Sequence, residues 1–347
     1  MTHLAEIVEI YEDPLTIESN VRIDYVQDVM VPERVRNINI ELEQCVDEER
    51  ERLGLMHIRP INLPSKQAED LRRAIKSNPE WADNFKEIVS LLSPELAPTD
   101  LKDLLDAIRV PWWVGTPVFR INDHFDKSRG TLNITGELSH TYITQLMGSK
   151  KFASLAQMKG AKDSMSVSGV SITYDNLLVL GWRGGHRYSN TIMTVPAGSV
   201  EGELFPTIYA EHFEELGRSR KDFSAVELVG RVYDNTIGNN SLYIFRSTMA
   251  MPFNDLLRSF RSSADQREHK YLLPLINDPH FMLDEIKEKG YDLAKADDGN
   301  PAATTMGNVG AILPPCAASL LLHFTQQEGK AWGRKAEQML NGAYRFF

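Results

Sequence analysis

Three glutamates stand within one short segment, at a spacing that a helix would bring together. Glu211, Glu214 and Glu215 occupy positions i, i+3 and i+4 of a segment with good helix formers, TIYAEHFEELG. Like charges at this spacing repel, and a hard divalent cation that takes oxygen ligands relieves the repulsion. Mg²⁺ is such a cation, because it binds a few carboxylates and shares its other positions with waters and substrate phosphates. A solvated acidic helix face would contain the same residues, so the cluster alone leaves both interpretations open.

A glycine-rich stretch upstream of these glutamates offers a place for an anion. Gly184 and Gly185 precede His186 and Arg187. Glycines let backbone N–H groups approach a phosphate closely, and the arginine adds positive charge. A tight loop without a ligand requires the same glycines, so here too both interpretations stand.

Other common catalytic and metal-binding patterns are absent from the sequence. The two cysteines, Cys45 and Cys316, are far apart, and the nine histidines form no H-x-H, H-x3-H or H-E-x-x-H pattern. The sequence has no G-x-S-x-G elbow, no G-x4-G-K-[ST] phosphate loop and no G-x-G-x-x-G fingerprint. The glutamate cluster therefore remains the leading candidate site.

Composition is typical of a globular protein. The chain has 347 residues, 42% hydrophobic and 25% charged, which predicts two domains or one module with a large extension. Its formal net charge of -10 argues against general binding to nucleic acid or anionic membranes. The acidic start has no signal-peptide pattern, and the longest apolar stretch, AILPPCAASLLLHF, is short and interrupted by prolines. We expect a cytoplasmic protein without a membrane segment.

The first part of the chain, residues 1–110, predicts an α-rich domain. A strand pattern, VRIDYVQDVMV, precedes the helical patterns VDEERERLGL, QAEDLRRAIKSN, ADNFKEIVSLLS and LKDLLDAIRV. Residues 111–164 predict a β-rich connecting segment that also contains a helical stretch, SKKFASLAQMKG. Neither part contains a catalytic motif.

Residues 165–347 contain the elements that would position the glutamates. The run SMSVSGVSITYDNLLVLGWRGG predicts two strands joined by a turn at 174–176. A strand in TIMTVPAG, the glutamate helix, and the strands AVELVGRVYD and NSLYIFRSTMA follow. Strand, loop, helix and strand in this order predict an α/β sandwich with a mixed sheet.

The segment VPAGSVEGELFPTIYAEHFEELG resembles the signature of the Nudix hydrolase family, G-x5-E-x7-R-E-U-x-E-E-x-G-U, where U is aliphatic. In that family the segment forms a loop, a helix and a loop that bind Mg²⁺ against a diphosphate. Gly198 corresponds to the first glycine and Gly217 to the last. Glu211, Glu214 and Glu215 correspond to the helix glutamates. The resemblance implies that Gly198 and these glutamates hold Mg²⁺, or Mn²⁺ in its place.

The segment departs from the signature at several positions. Twelve residues separate Gly198 from Glu211 where the family has 14, and Ala210 stands where the family has arginine. That arginine pairs with a glutamate of the loop, a position that either Glu201 or Glu203 could fill here. In addition, histidine and arginine replace two aliphatic positions, at His212 and Arg218. The metal ligands are therefore kept, whereas the arginine that orients them is not.

Resemblance also extends to the flanking segments. LLVLGWRGG is similar to the strand before the signature, where a basic residue, here Arg183, would reach the substrate. DQREHKYLLPL is similar to a passage in which family members place a further catalytic or metal-binding glutamate, here Glu268. In this comparison, Arg183 or Arg187 would bind the phosphates, and Trp182 or Tyr188 would stack on a base.

The resemblance implies a Nudix-type α/β/α sandwich with a mixed sheet, preceded by an N-terminal α-rich extension domain. The implied activity is Mg²⁺-dependent hydrolysis of a nucleoside diphosphate linked to another moiety, such as ADP-ribose or a nucleotide sugar. Glu268 or one of the helix glutamates would accept the proton. Related pyrophosphatases often form homodimers. The alternative is a non-hydrolytic Nudix-like module that senses a nucleotide or supports an interaction, and an unrelated α/β protein with an acidic helix is the third reading.

Overall fold

The computed structural model describes residues 4–26, 33–57, 63, 65–92, 104–105, 108, 111–112, 117–139, 163–184, 191–234, 236, 240–262, 269–290 and 310–346. The helices in these ranges are α1 (Glu33–Arg52), α2 (Ser65–Ser77), α3 (Pro79–Leu92), α4 (Leu204–Leu216), α5 (Phe253–Ser262), α6 (Pro279–Lys289), α7 (Pro314–Glu328) and α8 (Lys330–Met339). The strands are β1 (Ala5–Leu15), β2 (Val21–Tyr25), β3 (Val118–Asp126), β4 (Thr131–Leu138), β5 (Asp163–Ile172), β6 (Leu177–Arg183), β7 (Thr191–Thr194), β8 (Ala197–Ser199), β9 (Phe223–Asp234), β10 (Asn240–Met249), β11 (His269–Ile276), β12 (Ala311–Ile312) and β13 (Tyr344–Phe346).

The chain forms two compact units whose boundaries differ from those expected from the sequence. The first unit contains Met1–Arg22, Phe125–Leu132 and Met165–Phe347, and the second contains Ile23–His124 and Asn133–Ser164. The start of the expected N-terminal domain therefore belongs to the same unit as the residues from 165 onward. The rest of that expected domain forms the second unit together with part of the expected connecting segment, 111–164. Strand pairing explains the difference, because β1 pairs with β9 and β13.

The first unit is a mixed α/β structure with a large mixed sheet. Its strand order is β12-β7-β6-β5-β10-β9-β1-β13, with β11 beside β6 and β8 beside β5. Most neighbours are antiparallel, but β1 pairs with β13 and β12 pairs with β7 in parallel. This arrangement confirms the expected α/β class and the mixed sheet.

Strand β6 contributes to two apolar clusters, because its side chains alternate between the two faces of the sheet. Leu178 and Leu180 belong to a large cluster that also includes residues of α7. Val179 belongs to another, which includes Leu216 at the end of α4 and Phe253 in α5. Helices α7 and α4 therefore lie against opposite faces of β6. The apolar stretch ILPPCAASLLLHF forms α7, which begins with two prolines where no helical N–H bond is lost.

The second unit contains three helices and its own core. Helices α1, α2 and α3 contact one another, and their buried apolar residues form one cluster. Trp81 and Phe85 stack within it, with ring centroids 5.5 Å apart. On the strand side of the unit, the buried Arg120 donates two hydrogen bonds to Asp163, of 2.9 and 3.0 Å. The expected α-rich content of this region is confirmed for α1, α2 and α3.

The described residues limit what can be said about two expectations from the sequence. The helical stretch expected at SKKFASLAQMKG falls outside the described ranges. Among the helices that are described, none is long and apolar enough to cross a membrane.

Candidate functional site

The glutamate helix forms where the sequence predicts it. Helix α4 buries Leu204, Ile208 and Leu216 along one side. It ends at Gly217, which adopts the left-handed conformation (φ 65°) and donates a hydrogen bond to Phe213 O, while Arg218 N donates to His212 O. This pair of bonds satisfies carbonyl groups of the last turn, which explains the glycine at this position. The helix therefore has a fixed end one residue after the glutamate cluster.

Two of the glutamates of α4 reach adjacent residues of β8. The Glu211 carboxylate lies so close to Gly198 that an added Cβ there would be 1.7 Å from Oε1. One turn later, Glu215 Oε1 accepts a hydrogen bond of 3.3 Å from the backbone N–H of Ala197. Strand β8 is held in turn against β5, where Gly198 pairs with Val167. The structure thus brings both carboxylates to the same short strand.

The third glutamate lies at the surface beside a glutamate of the preceding loop. Glu214 is exposed, whereas Glu211 is half-buried and Glu215 is buried. The pKa of the Glu201 carboxyl is raised, first by partial loss of hydration, although the residue remains exposed overall, and then by the charge of Glu214. The charge of Glu214 on the helix thus acts on Glu201, one of the two loop glutamates considered from the sequence. Glu203 instead occupies the position just before α4, where its side chain makes no hydrogen bond to the free N–H groups of the first turn.

A histidine of β11 contacts the buried glutamate. His269 Nε2 lies 3.1 Å from Glu215 Oε2, and both side chains are almost fully buried, with 1% and 5% exposed. The ring occupies space over Gly181, where an added Cβ would be 2.3 Å from Nδ1. Sequence reasoning singled out the neighbouring Glu268 but not His269. The contact joins residues 54 positions apart, so no local pattern could have shown it.

Arg183 lies close to this pair but is not open to solvent. Its Cα pairs with that of His269 across β6 and β11, and it stands two residues after Gly181, on the same face of the strand. The side chain is 9% exposed, and Nη1 donates to the sulfur of Met193 at 3.0 Å. In this arrangement Arg183 neighbours His269 in the sheet, and its side chain does not face bulk water.

Trp182 points to the opposite face of β6. It follows Gly181 directly, so its side chain projects away from His269 and Glu215. Its ring lies near Gly310, where an added Cβ would be 3.6 Å away. The structure therefore does not bring Trp182 together with the glutamates. Arg187, Tyr188 and Glu268 lie outside the described residues.

A second buried histidine belongs to α4 itself. His212 Nε2 lies 2.8 Å from Ser247 Oγ of β10, and its ring packs on Phe223 with centroids 4.2 Å apart. Burial lowers its pKa to about 3, so the ring is neutral near pH 7. These contacts give His212 a role in packing rather than in support of a carboxylate.

The site can be tested for its fit to a cation. Within the described ranges, no three side chains of histidine, cysteine, aspartate or glutamate converge closely enough to hold a metal ion by themselves. The Gly198 position has no side chain, and the Glu211 carboxylate lies against it. Two carboxylates beside a bare stretch of backbone suit Mg²⁺, which keeps several waters and takes few protein ligands. The residues therefore fit a cation that completes its shell with waters or substrate oxygens.

Comparisons with known proteins give no family assignment. No family model and no curated protein matches the chain. Among solved structures, the crystal structure of DR0079 from Deinococcus radiodurans is similar, with 14% identity over 42% of this chain and 81% of that chain, and a TM-score of 0.25. A similarity of that size supports no conclusion about fold or function.

Proposed function

We propose that this protein is a Nudix-type, Mg²⁺-dependent hydrolase of a nucleoside diphosphate linked to another moiety, such as ADP-ribose or a nucleotide sugar. One observation carries the proposal. The Glu211 carboxylate lies against Gly198, at a position where any side chain would displace it. The first glycine of the resembling segment and its first helix glutamate thus meet in space although 12 residues separate them.

Four residues would hold the cation. Gly198 and Glu211 are in contact, Glu215 reaches the neighbouring Ala197, and Glu214 lies exposed on the same turn of α4. Bound Mg²⁺ would neutralise diphosphate oxygens and lower the pKa of a water that attacks phosphorus. Glu215 is buried and hydrogen-bonded, so its role in the proposal is to bind and orient.

A separate carboxylate would accept the proton of the attacking water. The raised pKa of Glu201 brings that group closer to neutral pH, and its neighbour Glu214 is exposed to an approaching substrate. Glu268, which the resemblance suggests, is the other candidate. Arg183 at the edge of the site, or Arg187, would bind the phosphates.

The proposal includes the finer fold assignment. Helices on both faces of the mixed sheet are compatible with a Nudix-type α/β/α sandwich. The second unit, with α1, α2 and α3, would be the extension. Of the two aromatic residues that the resemblance suggests for base stacking, Tyr188 stays a candidate, whereas Trp182 lies on the opposite face of β6 from the glutamates.

The test is hydrolysis of a panel of nucleoside diphosphate derivatives in the presence and absence of Mg²⁺. We expect Glu214→Gln and Glu215→Gln each to lower kcat by about 10²-fold or more, because each removes a charged ligand. Glu203→Gln is the matched control, because Glu203 is an exposed glutamate just before the same helix, and its activity should stay near that of the wild type. Unchanged rates in both ligand variants would reject this metal assignment.

A second function, nucleotide binding without turnover, is favoured by one observation. Ala210 is exposed and has no charged group to orient the neighbouring carboxylates. Calorimetry with the same compounds and Mg²⁺ separates the two functions. Binding without product release would support the sensor, and release above the background rate would support the hydrolase.

A further inference from the structure

We infer that His269 is a positioning residue, which fixes the Glu215 carboxylate through an Nε2–H hydrogen bond so that Glu215 can serve the cation site. This inference rests on the proposed function. It concerns a residue of a distant strand, within the flanking passage DQREHKYLLPL, to which the resemblance assigns no role. His269 itself would touch neither the cation nor the substrate.

The two oxygens of Glu215 accept bonds from different elements. Oε1 accepts from Ala197 N at 3.3 Å, and Oε2 lies 3.1 Å from His269 Nε2. Because a carboxylate only accepts, the proton of this second bond is on the histidine nitrogen. Two donors on two oxygens define both the position and the plane of the carboxylate.

The bond does not depend on the charge of the histidine. A neutral ring with its proton on Nε2 and a doubly protonated ring both donate from that atom. The positioning role therefore requires only that His269 present Nε2 to Glu215. Its burial, with 1% of the side chain exposed, keeps water from competing for the bond.

The ring of His269 is held in place by the sheet beneath it. An added Cβ at Gly181 would lie 2.3 Å from Nδ1, 2.6 Å from Cε1 and 2.6 Å from Val195 Cγ2. A glycine in β6 thus lets the imidazole lie directly on the strand. The backbone of His269 also pairs with Arg183 of β6. The donor is therefore mounted on paired strands, which hold it more firmly than a loop would.

The spacing of the glutamates gives this bond a consequence for the site. Glu211 and Glu215 are one helical turn apart, and their carboxylates repel when no cation is present. Glu211 lies against the bare backbone of Gly198. A donor on Glu215 would counter the tendency of the two groups to move apart. The result expected is a carboxylate that is already oriented before the cation arrives.

The test is Mn²⁺ binding to the full chain, measured at one pH from the electron paramagnetic resonance signal of the free ion. His269→Leu removes the donor, and we expect its Kd for Mn²⁺ to rise about 10- to 100-fold. His269→Gln can place an amide N–H near the position of Nε2, and its Kd should stay within about threefold of the wild type. That rescue separates hydrogen bonding from simple loss of packing.

Two further variants control for folding. His212→Gln changes another buried histidine, which bonds to Ser247 rather than to a glutamate, and should leave the Kd within about threefold. If His269→Leu does not fold, His269→Asn replaces it, because its shorter side chain does not reach Glu215. Melting temperatures recorded for each variant show which of them are folded.

The outcomes separate this inference from the proposed function. Wild-type binding of Mn²⁺ together with equal binding by folded His269→Leu or His269→Asn overturns the role of His269 alone. Equal weakening in the glutamine and leucine variants also overturns it, because the donor would then be irrelevant. A wild-type protein that binds no Mn²⁺ overturns both proposals. Weakening with rescue by glutamine supports the inference.

Discussion

A glycine next to a glutamate is the residue-scale feature on which the candidate site depends. The Glu211 carboxylate occupies the space that a side chain at position 198 would fill. The backbone at Gly198 does not have a positive φ, so its glycine is required by close approach and not by a turn. The space taken by the Glu211 carboxylate thus explains why residue 198 is a glycine.

A substitution can test this requirement directly. Gly198→Ala would place Cβ 1.7 Å from Glu211 Oε1, so the carboxylate must move. Because it is the end of a flexible side chain that moves, we expect a loss of stability below about 1.5 kcal/mol but a fall in Mn²⁺ affinity of at least about tenfold. Urea unfolding and Mn²⁺ titration measure the two effects.

Gly202→Ala is the control for that variant. It lies in the loop between β8 and α4, and an added Cβ there meets nothing within 4 Å. Its Mn²⁺ affinity should equal that of the wild type. Equal affinities in both alanine variants would contradict a ligand role for Glu211.

At the scale of elements, Gly217 ends α4 directly after the turn that carries Glu211, Glu214 and Glu215. Gly217 has φ 65°, and an alanine there would pay the cost of the left-handed conformation. We expect Gly217→Ala to lower the free energy of unfolding by about 1–2 kcal/mol, as measured by urea denaturation. Gly217→Asn should cost less, because asparagine tolerates this conformation. An asparagine variant less stable than the alanine variant would contradict this explanation.

Elements with local signals could be predicted from the sequence. Helix α4 has good helix formers and a terminal glycine, and the turn after β5 contains Asn176, whose φ is 59°. Strand β1 has no such signal. Its pairing with β9 shifts register twice, and its partners lie far along the chain. The regular alternation that marks a strand is therefore broken.

The residues of the site also divide into those with a local sequence signal and those whose position depends on distant pairing. Glu211, Glu214 and Glu215 could be predicted as a group because helical periodicity brings them together. His269 could not, because its position beside Glu215 depends on how β11 pairs with β6. The orientation of Trp182 also depends on that sheet. A shift of one position along a strand moves a side chain to the other face, and a local sequence pattern does not fix that position.

At the scale of the whole molecule, buried histidines link stability to pH. His323 of α7 is fully buried, and its Nε2 lies 3.4 Å from Asn277 Oδ1. Burial, with a smaller contribution from the charge of Arg246, lowers its pKa from 6.5 to about 3. Between these values the unfolded chain binds a proton that the folded chain does not. Stability due to this group is thus fully present above pH 6.5 and falls as pH falls through this window.

This linkage predicts a measurable slope. In the window below pH 6.5, His323 should contribute about 1.4 kcal/mol per pH unit to the free energy of unfolding. His323→Leu should make the slope shallower by that amount in urea unfolding at several pH values. The same change at the exposed His280 is the control. Equal slopes in His323→Leu and the wild type would show that His323 takes up its proton without unfolding.

The pairing of β1 also sets an order of events during synthesis. Ala5 must wait for its partner Asp234, and for Tyr344 on its other side. At about 5–20 residues per second, a ribosome needs roughly 10–50 s to make the chain between Ala5 and Asp234. During that time the apolar residues of β1 have no sheet to join. Helices α1, α2 and α3 are made within the interval, so the helices of the second unit can begin to fold while the first strand of the other unit still lacks its partners.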